Sequence, residues 1–192
     1  MSFVGNENGW FSGATHTASP NFDARPDGAM VELIVIHNIS LPPSEFGGRW
    51  IDDLFLNRLD PAAHPYFATI HHFEVSSHFL IRRDGTATQY VSCNDRAWHA
   101  GASEWRGRTR CNDFAIGIEL EGDDYSRFTD AQYQTLKQLT DALTQAYPSI
   151  DSIAGHSEIA PERKTDPGEH FDWPRYIEMA NIDTTWRKNL LV

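Results

Sequence analysis

Nine histidines lie along the 192 residues, at positions 16, 37, 64, 71, 72, 78, 99, 156 and 170. A neutral imidazole can ligate a metal or accept a proton near neutral pH, so each is a candidate for chemistry, although taken singly most histidines serve as surface or hydrogen-bonded structural groups. The chain has no His-Glu-x-x-His and no Cys-x-x-Cys. A zinc site would therefore draw its ligands from separate segments. Two histidines stand out by position. His37 closes the run Val31-Glu32-Leu33-Ile34-Val35-Ile36, and His156 follows a second strand-like stretch. A third candidate comes from an alternating pattern. In Phe114–Glu121, Phe114, Ile116, Ile118 and Leu120 form one apolar face, while Ala115, Gly117, Glu119 and Glu121 form the other. Small residues leave room above a sheet, and the carboxylates beyond them read as part of a site. Taken alone, Glu119 reads equally well as a solvated strand-end carboxylate. Cys93 and Cys111 lie in no recognisable nucleophile motif and are too few for a disulfide framework, so they read as reduced structural thiols.

The elements that must position these groups are legible in the periodicity. The 31–36 run is apolar on both faces, as a central strand between two layers would be. Pro42-Pro43 sends the chain into a loop, and a short helix is expected over Trp50–Phe55. Residues 57–75, with Pro61, Pro65 and several histidines, read as irregular. Strands are expected at Ser77–Arg82 and Thr86–Val91 around the turn Asp84-Gly85, and a long loop from Trp98 to Asn112. The clearest helix runs from Thr129 to Tyr147. Thr129 with Gln132 makes a capping box, Tyr133, Leu136, Leu139, Leu143 and Tyr147 share a face, and Pro148 stops it. A strand up to His156, a polar loop through Asp172 and a short helix near Pro174–Met179 complete the chain. Strands interleaved with helices predict one α/β (α+β) domain over 1–192, with a central mixed sheet flanked by helices.

Composition narrows the partners. Hydrophobic residues make up 40% and charged residues 22%, as in an ordinary globular chain, and the formal net charge is -11. An acidic surface repels phosphate backbones and anionic lipids, so neither nucleic acid nor a membrane is expected as a partner. The N-terminus MSFVGNENGWFSGATHTASP has no basic start, apolar core or lipobox-like cysteine, which gives the expectation of a cytoplasmic protein. Composition leaves the oligomeric state open.

Four separated segments together carry a resemblance. They are His37-Asn38-Ile39-Ser40-Leu41-Pro42-Pro43 with Glu45-Phe46-Gly47-Gly48; Arg96-Ala97-Trp98-His99-Ala100-Gly101; Cys111-Asn112-Asp113 with Ile116-Gly117-Ile118-Glu119-Leu120-Glu121-Gly122; and Arg163-Lys164-Thr165-Asp166-Pro167-Gly168. In order and spacing, over about residues 10–178, they resemble the AmpD family of cytosolic anhydro-N-acetylmuramoyl-L-alanine amidases of peptidoglycan recycling. The resemblance implies one zinc ion per chain, held at one edge of the sheet by His37, His156 and Asp166, with the fourth tetrahedral position open. It implies Glu119 as general acid/base and Lys164 beside the metal, where it would hold charge on the tetrahedral intermediate. On composition alone Lys164 and Asp166 read as a surface ion pair, and Asp166-Pro167-Gly168 as a turn.

The expected substrate is a muropeptide, cut between (1,6-anhydro-)N-acetylmuramic acid and L-alanine. Among expected contacts, Asn38 follows a ligand directly and can hydrogen-bond the peptide, and Trp98 can stack on the sugar. Arg110 abuts the matched Cys111-Asn112-Asp113 and has the guanidinium geometry for a stem-peptide carboxylate. Glu74 stands where the resemblance implies a basic residue. Two other readings share the motifs: a peptidoglycan recognition protein that binds without cutting, and an exported wall-remodelling amidase. Binders of that kind typically lose a metal ligand, whereas His37, His156, Asp166 and Glu119 are all present here.

Overall fold

Leu33–Ile36 of the 31–36 run become a strand buried on both faces, which starts two residues later than expected and runs on to Ile39, and the remaining architecture is organised around it. A computed structural model describes residues 2–187. Its main sheet has six strands: β1 (Thr15–His16), β2 (Leu33–Ile39), β3 (Phe79–Ile81), β4 (Ala87–Gln89), β5 (Ala115–Glu121) and β6 (Ser152–Gly155). Their order across the sheet is β6-β2-β5-β3-β4-β1. The pairs β6–β2, β2–β5, β5–β3 and β4–β1 are parallel and β3–β4 is antiparallel, so the sheet is mixed as expected.

Residue alternation divides β2 and β5 between two layers. Ile34 and Ile36 of β2, with Ile116, Ile118 and Leu120 of β5, pack against Tyr133, Leu136, Leu139 and Leu143 of the long helix Asp130–Ala146. Each fully buried aliphatic side chain of this kind contributes about 1.5–3 kcal/mol relative to exposure. Thr129 caps the helix through the expected reciprocal bonds with Gln132. The opposite face carries Leu33 and Val35 of β2 and Ala115 of β5, packed with Ala100, Trp105, Cys111 and Ile159. His37, Gly117 and Glu119 continue the same alternation on that face. Among the described residues five α-helical segments accompany the sheet: α1 (Trp50–Phe55), α2 (Phe67–Ile70), α3 (Asp130–Ala146), α4 (His156–Ile159) and α5 (Trp173–Ala180). Together they make a single α/β domain.

Several expectations need correction. The 57–75 stretch is not wholly irregular, because α2 forms within it. The 98–112 stretch is not one loop. It folds back as an antiparallel ribbon, Glu104–Trp105 against Arg108–Thr109, ending in a 3-10 turn at Cys111–Asp113. The turn between the ribbon strands, Arg106-Gly107, has positive φ at both residues (49° and 82°). That is the geometry a two-residue hairpin needs, here with arginine in place of the usual Asn or Asp signal. Short N-terminal ribbons, Val4–Gly5 with Phe11–Ser12 and Phe22–Ala24 with Asp95–Ala97, also escape periodicity because each strand is only two or three residues long.

Candidate metal centre and its cavity

The candidate residues converge at the carboxyl ends of the parallel strands. The expected edge is thus an edge of strand ends, since β2 and β5 are interior strands. In the parallel register His37 of β2 lies beside Glu119 of β5, so both project from the same face. Gly155 of β6 pairs with Ile36, which delivers His156, the first residue of α4, next to His37. The third group comes from the 163–168 loop. That loop is held against α4 by the Ser157 amide donating to the Asp166 carbonyl at 2.9 Å. Its approach depends on Gly155, where a Cβ would stand 2.8 Å from the Pro167 ring.

His37 Nδ1 lies 3.0 Å from His156 Nδ1 and 3.0 Å from Asp166 Oδ2, and His156 Nδ1 lies 3.1 Å from the same oxygen. These three atoms form a nearly equilateral triangle. Its edges fall a little short of the roughly 3.3 Å expected between tetrahedral ligands at 2.0–2.1 Å from zinc. His156 Nε2 lies 3.1 Å from the Ala100 carbonyl, which can only accept, so this ring carries its proton on Nε2 and turns a bare Nδ1 into the triangle. Burial is the largest influence on His37 and lowers its pKa to about 4, so the imidazole is neutral, the form a ligand requires. Burial pushes Asp166 up, but the neighbouring His156 and His37 imidazoles outweigh it and hold the carboxyl ionised, well below the usual range. Two neutral imidazoles and a carboxylate facing one point are the donor set of a divalent metal site. Among the described residues these three form the one His/Cys/Asp/Glu group of that kind.

Glu119 and Glu121, paired in the sequence, separate in the structure. Glu121 is satisfied by Arg82 at 3.0 Å, the Gly47 amide at 2.7 Å and the Arg83 amide at 3.1 Å, and holds loops together. Glu119 Oε2 is buried with no hydrogen-bond partner among the described residues. Burial above all, with the nearby Asp166 charge second, raises the Glu119 pKa well above the ordinary carboxyl value, while Lys164 opposes the shift.

These groups line a cavity of about 400 Å³. His37, Glu119, His156, Lys164 and Asp166 line it together with the largely apolar Leu41, Leu54, Phe55, Tyr66, Ile70 and Phe73. Asn38 and Trp98 also line it. The Asn38 amide donates to Asp124 at 2.8 Å, and the Trp98 indole donates to Asp23 at 3.1 Å. Lys164 is exposed at the mouth. Arg110 is not among the lining residues. Its side chain is 69% exposed and pairs with Asp113 at 3.1 Å. Glu74 is exposed between the cavity-lining Phe73 and Val75. Both cysteines are free and buried, and burial pushes their thiols up, away from nucleophilic thiolate.

Two parts of the site escaped the sequence reading. Tyr66, Ile70 and Phe73 have the i, i+4, i+7 spacing of a helical face, a signal masked by the prolines and histidines around them. His99 lies inside a matched motif, yet only the fold shows that its Nδ1 meets His37 Nε2 at 3.0 Å. Gly117 makes this contact feasible, because a Cβ there would stand 2.5 Å from the His99 ring. Gly117→Ala is therefore expected to overpack the site by about 1–3 kcal/mol. Thermal unfolding should show a Tm lower by roughly 2–12 °C; an unchanged Tm would mean that the ring moves aside freely.

The family model for N-acetylmuramoyl-L-alanine amidase matches residues 27–169. The chain belongs to the N-acetylmuramoyl-L-alanine amidase family. Within that family it is 57% identical over 180 residues to the 1,6-anhydro-N-acetylmuramyl-L-alanine amidase AmpD of Escherichia coli (strain K12), an alignment covering 93% of this chain and 98% of that one. A crystal structure of a selenomethionine AmpD derivative superposes with a TM-score of 0.88 at 57% identity, covering 90% of this chain and 97% of that one. AmpDH3 from Pseudomonas aeruginosa, solved in complex with an anhydromuramic pentapeptide, superposes with a TM-score of 0.59 at 31% identity, covering 82% of this chain and 62% of that one. The amidase fold thus accounts for the strands that carry His37 and Glu119. No helix among the described residues is long and apolar enough to cross a membrane.

Proposed function

We propose that the chain, as one amidase domain, is a zinc-dependent hydrolase. Its substrate would be the amide between 1,6-anhydro-N-acetylmuramic acid and L-alanine in recycled wall fragments of the cytosol. The observation that carries this reading is the pairing, in one cavity of a family amidase, of a two-imidazole, one-carboxylate triangle with a buried, unpartnered carboxyl. Retention of all these groups supports cutting over binding alone.

His37 Nδ1, His156 Nδ1 and Asp166 Oδ2 would hold the metal. Zinc suits the N, N, O donor set, and when bound it polarises the scissile carbonyl and acidifies water. Glu119, beside His37 in the strand register, then takes the proton of the attacking water and delivers it to the departing L-alanine nitrogen. Lys164, at the mouth, stabilises the negative charge that develops on the carbonyl oxygen. Asn38 presents a polar edge to the peptide, and Trp98 with the Tyr66–Phe73 wall receives the sugar. Arg110, outside the lining residues, would have to leave its pair with Asp113 to meet a stem-peptide carboxylate.

Lys164→Ala is expected to lower kcat by about tenfold or more with a smaller change in KM, because its partner is a transition-state charge. Steady-state kinetics check this, and a change confined to KM would remove the role. The rigid bicyclic anhydro sugar costs less conformational entropy to bind than a flexible reducing-end sugar. Comparing kcat/KM on matched anhydro and non-anhydro fragments tests the substrate assignment. The anhydro form should be favoured about tenfold or more, the scale on which an apolar pocket discriminates. Equal rates, with vigorous digestion of sacculi, would point to a wall-remodelling enzyme.

A further inference from the structure

His37, His99 and His156 line the cavity and His78 packs against His99, and backbone groups fix the proton positions of two of these four imidazoles. His156 must carry its proton on Nε2, facing the Ala100 carbonyl. His78 accepts from the Gly117 amide at Nδ1, 3.0 Å away, so its proton is on Nε2, facing the Asp95 carbonyl at 3.1 Å. His37 and His99 have no such anchor. His37 Nδ1 faces the bare Nδ1 of His156 and the carboxylate of Asp166, both acceptors, and its Nε2 faces only His99 Nδ1 at 3.0 Å. His99 Nε2 is buried without a partner among the described residues.

We propose that His99 is a positioning residue that lets His37 exchange tautomers as the metal site fills. The inference rests on the metal-site reading above. With no cation, His37 Nδ1 faces two acceptors and must hold the proton. Its Nε2 is then bare, and His99 donates to it from Nδ1. With a cation at the triangle, His37 Nδ1 must be bare and its proton sits on Nε2. His99 Nδ1 then has to accept, and the His99 proton lies on Nε2. One proton leaves His37 Nδ1, one arrives at His99 Nε2, and the proton between the rings shifts from His99 to His37, so the pair stays neutral throughout. The partner that usually orients a ligating histidine is a carboxylate or carbonyl, which can only accept. An imidazole whose second nitrogen is unpinned serves both states of the site. Gly117 leaves room for the ring, and Asn112 Oδ1, accepting from the His99 and Ala100 amides at 3.3 and 2.8 Å, holds the backbone that carries it.

The test needs no substrate. Long-range 1H–15N correlation spectra of the full-length, 15N-labelled protein, first chelated and then loaded with zinc, report which nitrogen of each ring is protonated. The His99 proton is expected on Nδ1 without metal and on Nε2 with zinc, opposite in sense to the change at His37. Zinc affinity by chelator competition gives a second readout. His99→Phe should bind zinc about 10–100-fold more weakly, the usual cost of losing a ligand's hydrogen-bond partner. His99→Asn, whose amide can donate or accept, should keep most of the affinity, and circular dichroism checks that both variants fold. If zinc binds and His99 keeps one tautomer, or His99→Phe binds zinc as tightly as wild type, the inference is overturned while the metal site stands. If wild type binds no zinc at all, both fall together.

Discussion

Glu119→Gln is expected to lower kcat by about 10²–10⁴, the usual contribution of a positioned acid/base, while leaving zinc binding intact. Glutamine keeps the shape of the side chain and loses only the ability to take the water proton. The same substitution should also stabilise the metal-free fold at neutral pH. The Glu119 carboxyl is held protonated in the native state far more strongly than in an unfolded chain. Below the unfolded pKa both states carry the proton and the group costs nothing. As pH rises above that point the native state resists ionisation, and stability falls until the native group itself ionises. In chelated protein, therefore, Glu119→Gln should match wild type in Tm near pH 4 and exceed it near pH 7.5. For a chain of this size each kcal/mol of difference corresponds to about 2–4 °C. A variant with wild-type turnover would reduce Glu119 to a strand-end carboxylate. A Tm difference with the opposite pH trend would contradict its buried, unpartnered setting.

His156→Ala is expected to have the second large effect. Removing one corner of the triangle leaves His37 Nδ1 and Asp166 Oδ2 as a bidentate remnant, and purified variant should contain no stoichiometric zinc by elemental analysis. Zinc that binds only the folded state stabilises wild type by about 2.7 kcal/mol at a hundred times its Kd. That corresponds to a Tm rise of roughly 5–10 °C. His156→Ala should lose that rise, and its activity should match that of chelated wild type. A full zinc complement together with full activity in the variant would remove His156 from the ligand set.

The parts of the site that could be read from sequence are those encoded locally. His37 and Glu119 stand out because a strand alternates with period two, so an apolar strand end or a small-residue face marks them without tertiary information. His156 stands out for the same reason, as the first residue beyond a strand. Asp166 and Lys164 are different. Asp-Pro-Gly is an ordinary turn by local chemistry, and only the resemblance of the whole motif pointed to Asp166 as a ligand. The ribbon at Glu104–Thr109 was hidden because its turn puts an arginine at positive φ, which local preference disfavours. The His37–His99 contact joins residues 62 positions apart through the space above Gly117, and no local pattern encodes such a pairing. The apolar wall at Tyr66, Ile70 and Phe73 was readable in principle, but its helix is only four residues long and sits among helix-breaking residues.

Metal-dependent cleavage at one bond is the property that decides the assignment. Purified protein is stripped with chelator, incubated with an anhydro-muramyl peptide, and then assayed again after zinc is restored, with products identified by mass spectrometry. The prediction is no cleavage by the stripped protein and, with zinc, release of a peptide beginning with L-alanine together with the free anhydro sugar. Cleavage that persists undiminished after the metal is removed, or that falls at a different bond, would contradict it.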